Sequence, residues 1–139
     1  MAEKTPRHTL TVVSSGSASG EASAWARALV ERAGWSEETV YALDLCIVEM
    51  VSNVVNHGYC EERGRIWLEL DVGEDAGMLT IIDEAPAFDP LSLPAPPTPA
   101  SLDEASATGG YGVHMVRATA SECRYERRGA RNVFVARFG

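Results

Sequence analysis

Glu49, Asn53 and Asn56 stand four and three residues apart within LDLCIVEMVSNVVNHGY, and His57 follows directly. If this stretch is helical, the first three side chains fall within roughly 60° of arc, with His57 on their flank. An asparagine oxygen is a hard ligand of the kind that Mg²⁺ prefers. A glutamate one turn earlier can take a proton from an attacking hydroxyl or water near that ion. The spacing therefore favours a metal-and-base edge of a catalytic site.

These polar residues also have a plainer interpretation, because every amphipathic helix has a polar face. On a helix the opposite side would carry an apolar stripe within about 80° of arc: Val40, Leu43, Ile47, Val51 and Val54. A solvated face usually uses Lys, Arg and Gln, which favour the helix, whereas asparagine competes for the backbone. A site would explain that cost in helix stability, but the stripe alone leaves both interpretations open.

Asp83 ends the apolar run MLTIID and opens DEAPAFDP, where the chain leaves the predicted sheet. A carboxylate at that point can accept a hydrogen bond from an exocyclic amine such as that of adenine. Aspartate is also common in ordinary turns, because its side chain bonds the nearby backbone. Asp83 by itself therefore does not distinguish a binding residue from a turn residue.

Gly109, Gly110 and Gly112 lie in TGGYGVHMV, directly before a predicted amphipathic helix that points Val113 and Val116 inward. Glycines let the backbone approach a phosphate, and the free N–H groups at a helix start favour an anion. The same glycines can simply permit a tight turn. Neither the P-loop pattern nor the dinucleotide-binding pattern of glycines is present.

Hydrophobic periodicity predicts the elements that position these residues. The predicted strands are 8–14, 64–72, 78–83, 122–127 and 132–138, and the predicted helices are 21–33, 36–57 and one after the glycines. Residues 14–20 are small and polar and predict a turn. Two early helices, two later hairpins and one more helix after the glycines indicate an α+β fold. The predicted sheet is mixed, mostly antiparallel, and covered by helices on one face.

The segment 85–108 holds six of the seven prolines and few large apolar residues. A loop of this length inside a compact domain is usually a functional lid or a disordered piece. With 139 residues the chain is most simply one domain. We therefore expect a single domain, 1–139, interrupted by this segment.

The net charge of −8 disfavours nucleic acid and anionic membranes as partners. Four arginines near the C-terminus, Arg124, Arg127, Arg128 and Arg131, are more simply a solvated hairpin end than a basic patch. The three cysteines and three histidines are scattered, which argues against zinc or a disulfide framework and suits a reducing cytoplasm. No signal peptide or membrane span is apparent.

In this order, the motifs resemble those of the Bergerat-fold ATPases, and most closely the anti-sigma-factor serine kinases of the RsbW type. Glu49-x-x-x-Asn53-x-x-x-His57-Gly58-Tyr59 is similar to the family's N box. Asp83–Pro90 is similar to its G1 box, and Gly109-Gly110-x-Gly112-Val113 resembles its G2 box. The ending YERRGARNVFVARF is similar to its last hairpin. The resemblance implies a two-layer α/β sandwich.

The resemblance also implies the ligands. ATP would bind with Mg²⁺ held by Asn53, Glu49 would be the catalytic base, and Asp83 would contact adenine. Segment 85–108 would be the ATP lid. Further nucleotide contacts would come from other motif residues: His57, Ala85, Phe88, Gly109, Gly110, Tyr111, Gly112 and Val113. The implied substrate is a serine on an anti-sigma antagonist, the implied second partner is a sigma factor, and the implied assembly is a homodimer.

Two alanines depart from the family pattern, because Ala85 and Ala87 stand where glycines are usual. If the ligand needs positive φ or close backbone contact there, alanine weakens ATP binding. This motivates an alternative, a non-catalytic or weakly binding module that sequesters a partner. A third interpretation is the ATP domain of a two-component histidine kinase, against which stands the absence of a phosphoacceptor helix pair upstream in these 139 residues.

Overall fold

Five antiparallel strands form one sheet in the order β1-β2-β3-β5-β4, and helices pack on one face of it. The computed structural model describes residues 6–60, 62–92 and 110–139, with the backbone alone at 110 and 111. The strands are β1 (Arg7–Val13), β2 (Arg65–Val72), β3 (Gly77–Asp83), β4 (Glu122–Arg128) and β5 (Arg131–Phe138). The α-helices are α1 (Ala18–Arg32), α2 (Glu37–Asn53) and α3 (Gly110–Thr119).

Strand alternation sets which side of the sheet is buried. In β2, Ile66, Leu68 and Leu70 are fully buried beneath the helices, while the residues between them are partly exposed. Their partners on β3 include Leu79 and Ile81, which are also buried. The alternating sequence predicted this face, since successive strand residues point to opposite sides. The α+β class and the two hairpins predicted from the sequence are confirmed.

Strand β5 lies beside β3 rather than at the edge, so the last hairpin inserts next to the middle of the sheet. This non-sequential neighbour places Asn132 directly opposite Asp83 in the β3–β5 ladder. The two residues are far apart in sequence. Their pairing forms the polar end of the cavity described below.

Local signals explain most helix ends. Ser36 begins α2 by accepting a hydrogen bond from the Thr39 N–H at 3.3 Å, as an N-cap does. Gly34, with φ +81°, follows the end of α1, where a glycine removes the steric cost of that conformation. The prediction of a turn over 14–20 was wrong at its end, because α1 already begins at Ala18. Ala18 and Ala22 are both fully buried, so packing extends the helix backwards.

The end of α2 differs from the regular helix that was predicted to reach His57. The α-helix stops at Asn53, and a π-helical turn spans Val54–Gly58. The Tyr59 N–H accordingly donates to the Val54 carbonyl, five residues back, at 2.8 Å. A π-turn inserts extra backbone into the helix and is common at functional sites. It shifts the side chains after Asn53 away from the even spacing assumed from sequence.

Only the first part of the predicted lid is described, residues 85–92, with a short 3₁₀ turn at Pro90–Ser92. Arg117 from α3 donates to the Leu91 carbonyl at 3.1 Å and so ties this turn to the helix. Residues 93–108 of the predicted lid lie outside the described part of the chain. Within the described ranges, no helix is both long and apolar enough to cross a membrane.

Candidate functional site

One cavity gathers predicted site residues from opposite ends of the sequence. It lies where the end of α2 meets the ends of β3 and β5 and the segment that follows β3. Its lining residues are Met50, Asn53, Val54, Gly58, Ile81, Asp83, Phe88, Pro90, Tyr125, Asn132 and Phe134. Walls of this kind, apolar with a few polar groups, are typical of small-molecule sites.

Asn53 is the last α-helical residue of α2 and is only 6% exposed. The polar stripe was predicted to face away from the core. That was wrong for Asn53, because this residue is buried and lines the cavity rather than a solvated face. Its Nδ2 is buried and has no hydrogen-bond partner within the described residues. A buried amide without a partner costs about 1–3 kcal/mol. The Asn53 Nδ2 could therefore donate a hydrogen bond to an acceptor that a ligand supplies.

Asp83 is 5% exposed at the end of β3, on the same cavity. Its Oδ1 accepts hydrogen bonds from the Ala85 N–H at 3.0 Å and from Asn132 Nδ2 at 2.8 Å. Burial raises the pKa of this carboxyl, and the two hydrogen bonds and the Arg127 charge oppose that rise. Since both bonds from the described residues are on Oδ1, we expect the second oxygen to accept a bond from a ligand.

Asn132 was not predicted from the sequence, although it lines the cavity and is 6% exposed. Its strand carries Phe134 and Ala136 on the same side, both buried in the core. A polar residue at a core-facing position of an apolar strand was therefore the available signal. The sequence did not indicate which residue Asn132 would contact, because only the β3–β5 pairing places Asp83 opposite Asn132.

Glu49 lies one turn before Asn53 but does not line the cavity itself. Its side chain lies against Gly112 of α3, so closely that a β-carbon at Gly112 would overlap the Glu49 carboxylate. Partial burial raises the pKa of Glu49. The predicted glycine turn was wrong in form, because Gly110 and Gly112 already belong to the first turn of α3. The carboxylate is thus held beside the N-terminal end of that helix.

Replacing Gly112 by alanine is expected to displace the Glu49 carboxylate, because the new methyl group takes its position. The overlap is with the flexible end of a side chain, so we expect the fold to persist with a stability change within about 1 kcal/mol. Turnover of a bound substrate should fall more than substrate affinity. Steady-state kinetics and urea unfolding measure the two effects. Gly20→Ala in α1, which meets nothing within 4 Å, is the control, and equal kinetics in both variants would contradict the expectation.

The structure places the other predicted site residues differently. His57 is exposed and stacks on Phe88, with ring centroids 6.2 Å apart and planes at 30°. Val113 is 2% exposed and belongs to the core cluster rather than to the cavity lining. The side chain of Tyr111 and all of Gly109 lie outside the described residues. Phe88 is the member of this group that lines the cavity.

Ala85 also lies outside the cavity lining and is 1% exposed. Its φ is not positive, because within the described chain only Cys60 and Asp75 among non-glycine residues have positive φ. Alanine is therefore not strained at this position. Its methyl group faces Gly58, where an added β-carbon would come within 3.1 Å. Gly58, which has no side chain, therefore leaves room for the Ala85 methyl group.

The polar groups of the cavity are of the kinds that bind a nucleotide and a hard cation. Asp83 offers a buried acceptor on an apolar cavity, and Asn53 on the same cavity offers an Nδ2 donor, unpaired among the described residues, and an amide oxygen, which is the ligand type that Mg²⁺ prefers. The described residues contain no cluster of three or more His, Cys, Asp or Glu that could hold a metal ion by itself. Mg²⁺ usually keeps waters and takes one or two protein ligands plus substrate phosphates, so a single asparagine suits it.

The volume of the cavity limits how much of a nucleotide it can hold. The cavity volume is about 30 Å³, which holds about two water molecules, so a purine base would extend beyond it. Phe88 and Pro90 are among the lining residues. Both lie on the loop after β3 rather than within the sheet.

Comparison with known proteins agrees with this fold. Residues 15–138 match the histidine kinase-like ATPase domain. The chain therefore belongs to the histidine kinase-like ATPase family, a class of ATP-binding, kinase-like domains. The fold is similar to that of the RsbU and RsbW domains of Rv1364c from Mycobacterium tuberculosis, with a TM-score of 0.67 and 19% identity. That match covers 96% of this chain and 32% of the other, so this chain spans about a third of its length. No curated protein matches the chain.

Proposed function

We propose that this chain is a protein serine kinase that binds ATP with Mg²⁺ and phosphorylates a small partner protein. The observation that carries the proposal is the meeting of Asn53 and Asp83 on one cavity, where the Asn53 Nδ2 is a buried N–H donor without a partner among the described residues and Asp83 is a buried acceptor. Membership of the ATPase family supports the nucleotide, and the geometry supports its orientation. The base would lie towards Asp83 and the phosphates towards Asn53 and α3.

Each residue then has a role that its surroundings support. Asp83 accepts a hydrogen bond from the exocyclic amine of adenine through its free oxygen. Asn53 holds Mg²⁺, which when bound neutralises charge on the phosphates. The N–H groups at the start of α3 face the phosphates, because a helix N-terminus favours anions.

Glu49 serves as the general base in this proposal. It accepts the proton of the substrate hydroxyl while that oxygen bonds to the γ-phosphorus and ADP leaves with the bridging oxygen. Burial raises its pKa, and a base works best when its pKa lies nearer the working pH. Contact with Gly112 holds the carboxylate beside the helix end where the phosphates would lie.

The partners are part of the same proposal. The resemblance of the motifs to the RsbW-type kinases implies a serine on an anti-sigma antagonist as substrate, a sigma factor as second partner and a homodimer as the assembly, and the similarity of fold to the RsbW domain is consistent with such a kinase-like domain. A second candidate function is a non-catalytic module that sequesters its partner and binds ATP weakly. The small volume of the cavity favours that second candidate.

Calorimetric titration with ATP tests the proposal. We expect saturable binding in the micromolar range with Mg²⁺, weaker binding with a chelator, and a loss of roughly 10- to 100-fold in Asp83→Asn, whose amide cannot fully replace the acceptor. The protein is then incubated with γ-labelled ATP and the serine-bearing partner protein. Label on the partner supports the kinase. Binding of ATP without transfer of label supports the sequestering module. If ATP does not bind at all, both the kinase and the ATP-binding module are contradicted.

A further inference from the structure

Asn132 connects the carboxylate of Asp83 to the loop that follows it. Its Nδ2 donates to Asp83 Oδ1 at 2.8 Å, to the Pro86 carbonyl at 3.1 Å and to the Ala85 carbonyl at 3.2 Å. Its Oδ1 accepts from Arg127 Nη1 at 3.1 Å, from the Phe88 N–H at 3.4 Å and from the Tyr125 hydroxyl. One buried side chain thus joins two strands and the loop.

An amide suits these contacts because it both donates and accepts. Its two N–H groups and two lone pairs are shared among three donated and three accepted contacts, whereas an ionised carboxylate only accepts and a hydroxyl has one donor. An aspartate at 132 would place a second negative group opposite Asp83 in the ladder. The contacts therefore favour asparagine at the start of β5.

Arg127 makes a second connection to the same loop. Its Nη1 donates to the Ala85 carbonyl at 2.8 Å, while the Ala85 N–H donates to Asp83 Oδ1 at 3.0 Å. Both backbone polar groups of Ala85 are therefore in use. The loop between Asp83 and Phe88 is held by side chains from the last hairpin, and Phe88 forms a wall of the cavity.

We propose that Asn132 is a positioning residue that determines which nucleobase the cavity accepts. It occupies Oδ1 of Asp83, so the other oxygen faces the ligand as a pure acceptor. An acceptor selects a base with an exocyclic amine over one with a carbonyl at the same position. Asn132 also holds the loop that carries Phe88, so Phe88 keeps a fixed position relative to the accepting oxygen of Asp83. This inference rests on the proposed nucleotide function.

Binding of ATP and of inosine triphosphate, which has a carbonyl in place of the amine, tests the inference. Wild-type protein should prefer ATP by at least roughly 10-fold, since a site built to accept a hydrogen bond rejects the analogue that lacks the donor. Asn132→Ala should weaken ATP roughly 10-fold and leave inosine triphosphate nearly unchanged, so the preference is lost. Asn132→Thr keeps one donor, so its preference for ATP should lie between those of wild type and Asn132→Ala. This variant replaces Asn132→Ala in the test if the alanine variant does not fold.

The pH profile supplies a second readout. A hydrogen bond from Asn132 favours the ionised form of Asp83, so its loss should move the acid limb of ATP binding to higher pH. The Arg127 charge also favours the ionised form of Asp83, and Tyr59 lies near the same carboxylate, but both groups are present in wild type and variant alike. A role in stability alone would leave the acid limb in place.

Val133→Ala is the matched control, because Val133 is equally buried and its side chain points to the opposite face of the sheet. It should lower thermal stability while keeping both the ATP preference and the pH profile. Equal weakening of both nucleotides by Asn132→Ala, with an unchanged acid limb, would overturn the inference and leave the ATP proposal standing. If wild-type protein binds neither nucleotide, both proposals fail together.

Discussion

Asn53→Leu is expected to remove Mg²⁺-dependent ATP binding and, at the same time, to stabilise the protein without ligand. The Asn53 amide is buried with its Nδ2 unpaired among the described residues. Leucine has nearly the same shape and no polar group to leave unsatisfied. Removing such a group should raise the free energy of unfolding by about 1 kcal/mol. Urea unfolding without nucleotide measures this gain.

The loss of binding should be large. Asn53 is the proposed protein ligand of Mg²⁺, and substitutions that only support metal ligands already cost about 10- to 100-fold in affinity. We therefore expect the affinity for ATP with Mg²⁺ to fall at least roughly 100-fold, while the weaker binding seen with a chelator changes little. Calorimetry with and without Mg²⁺ separates these effects.

Asn56→Leu is the control, because Asn56 lies three residues further on and is exposed on the π-turn. It should change stability by less than about 0.5 kcal/mol and leave ATP affinity intact. A destabilised Asn53→Leu variant would show that the amide has an internal role. Unchanged Mg²⁺ dependence in a stable Asn53→Leu variant would remove Asn53 from the metal site.

Glu49→Gln should have the largest effect on phosphoryl transfer. Glutamine keeps the shape of the side chain and its contact with Gly112, but it cannot accept the substrate proton. General-base catalysis contributes about 10²- to 10⁴-fold, so transfer to the serine-bearing partner should fall by that factor. ATP affinity should stay within a few-fold of wild type. Single-turnover transfer of labelled phosphate and calorimetry measure the two quantities.

The same variant should alter stability in a pH-dependent way. Burial raises the folded-state pKa of Glu49 above that of the unfolded chain, so the folded state holds this proton longer. The contribution of Glu49 therefore favours folding at low pH, decreases as pH rises from the unfolded glutamate pKa, about 4.3, and is lost above the folded pKa. Glu49→Gln should be more stable than wild type near neutral pH, and the gap should close in acid.

Glu38→Gln is the control for both effects, because Glu38 is exposed in the first turn of the same helix. It should leave transfer unchanged and show no comparable pH-dependent gain. Transfer that survives in Glu49→Gln would assign the proton to another acceptor. A stability gap that widens in acid would show that the Glu49 carboxylate is stabilised by the fold rather than desolvated.

Much of the fold could be predicted from local patterns. The alternation of Ile66, Leu68 and Leu70 fixes which face of β2 is buried, since a strand turns its side chains to opposite sides. Ser36 and Gly34 mark helix ends through local hydrogen bonding and backbone sterics. These effects act over a few residues, so the sequence carries them directly. The element bounds moved by a few residues where packing extended or ended a helix.

The candidate site could be predicted in part. Glu49, Asn53 and Asp83 were selected by residue type and spacing, and the structure brings Asn53 and Asp83 onto one cavity. Their environments could not be predicted from a helical projection. Asn53 was expected on a polar, solvated face and is instead buried on the cavity, because a helical projection contains no tertiary neighbours.

The sequence by itself determined the α+β class, the strand faces, the main helix ends and the polar residues capable of chemistry, because propensity, periodicity and capping depend on near neighbours. Only the tertiary structure decided that Asn132 is opposite Asp83, that Gly112 is against Glu49, and that Ala85 fits beside Gly58. Each of these contacts joins segments far apart in the chain. Such contacts follow from strand order and helix packing, which no local pattern specifies.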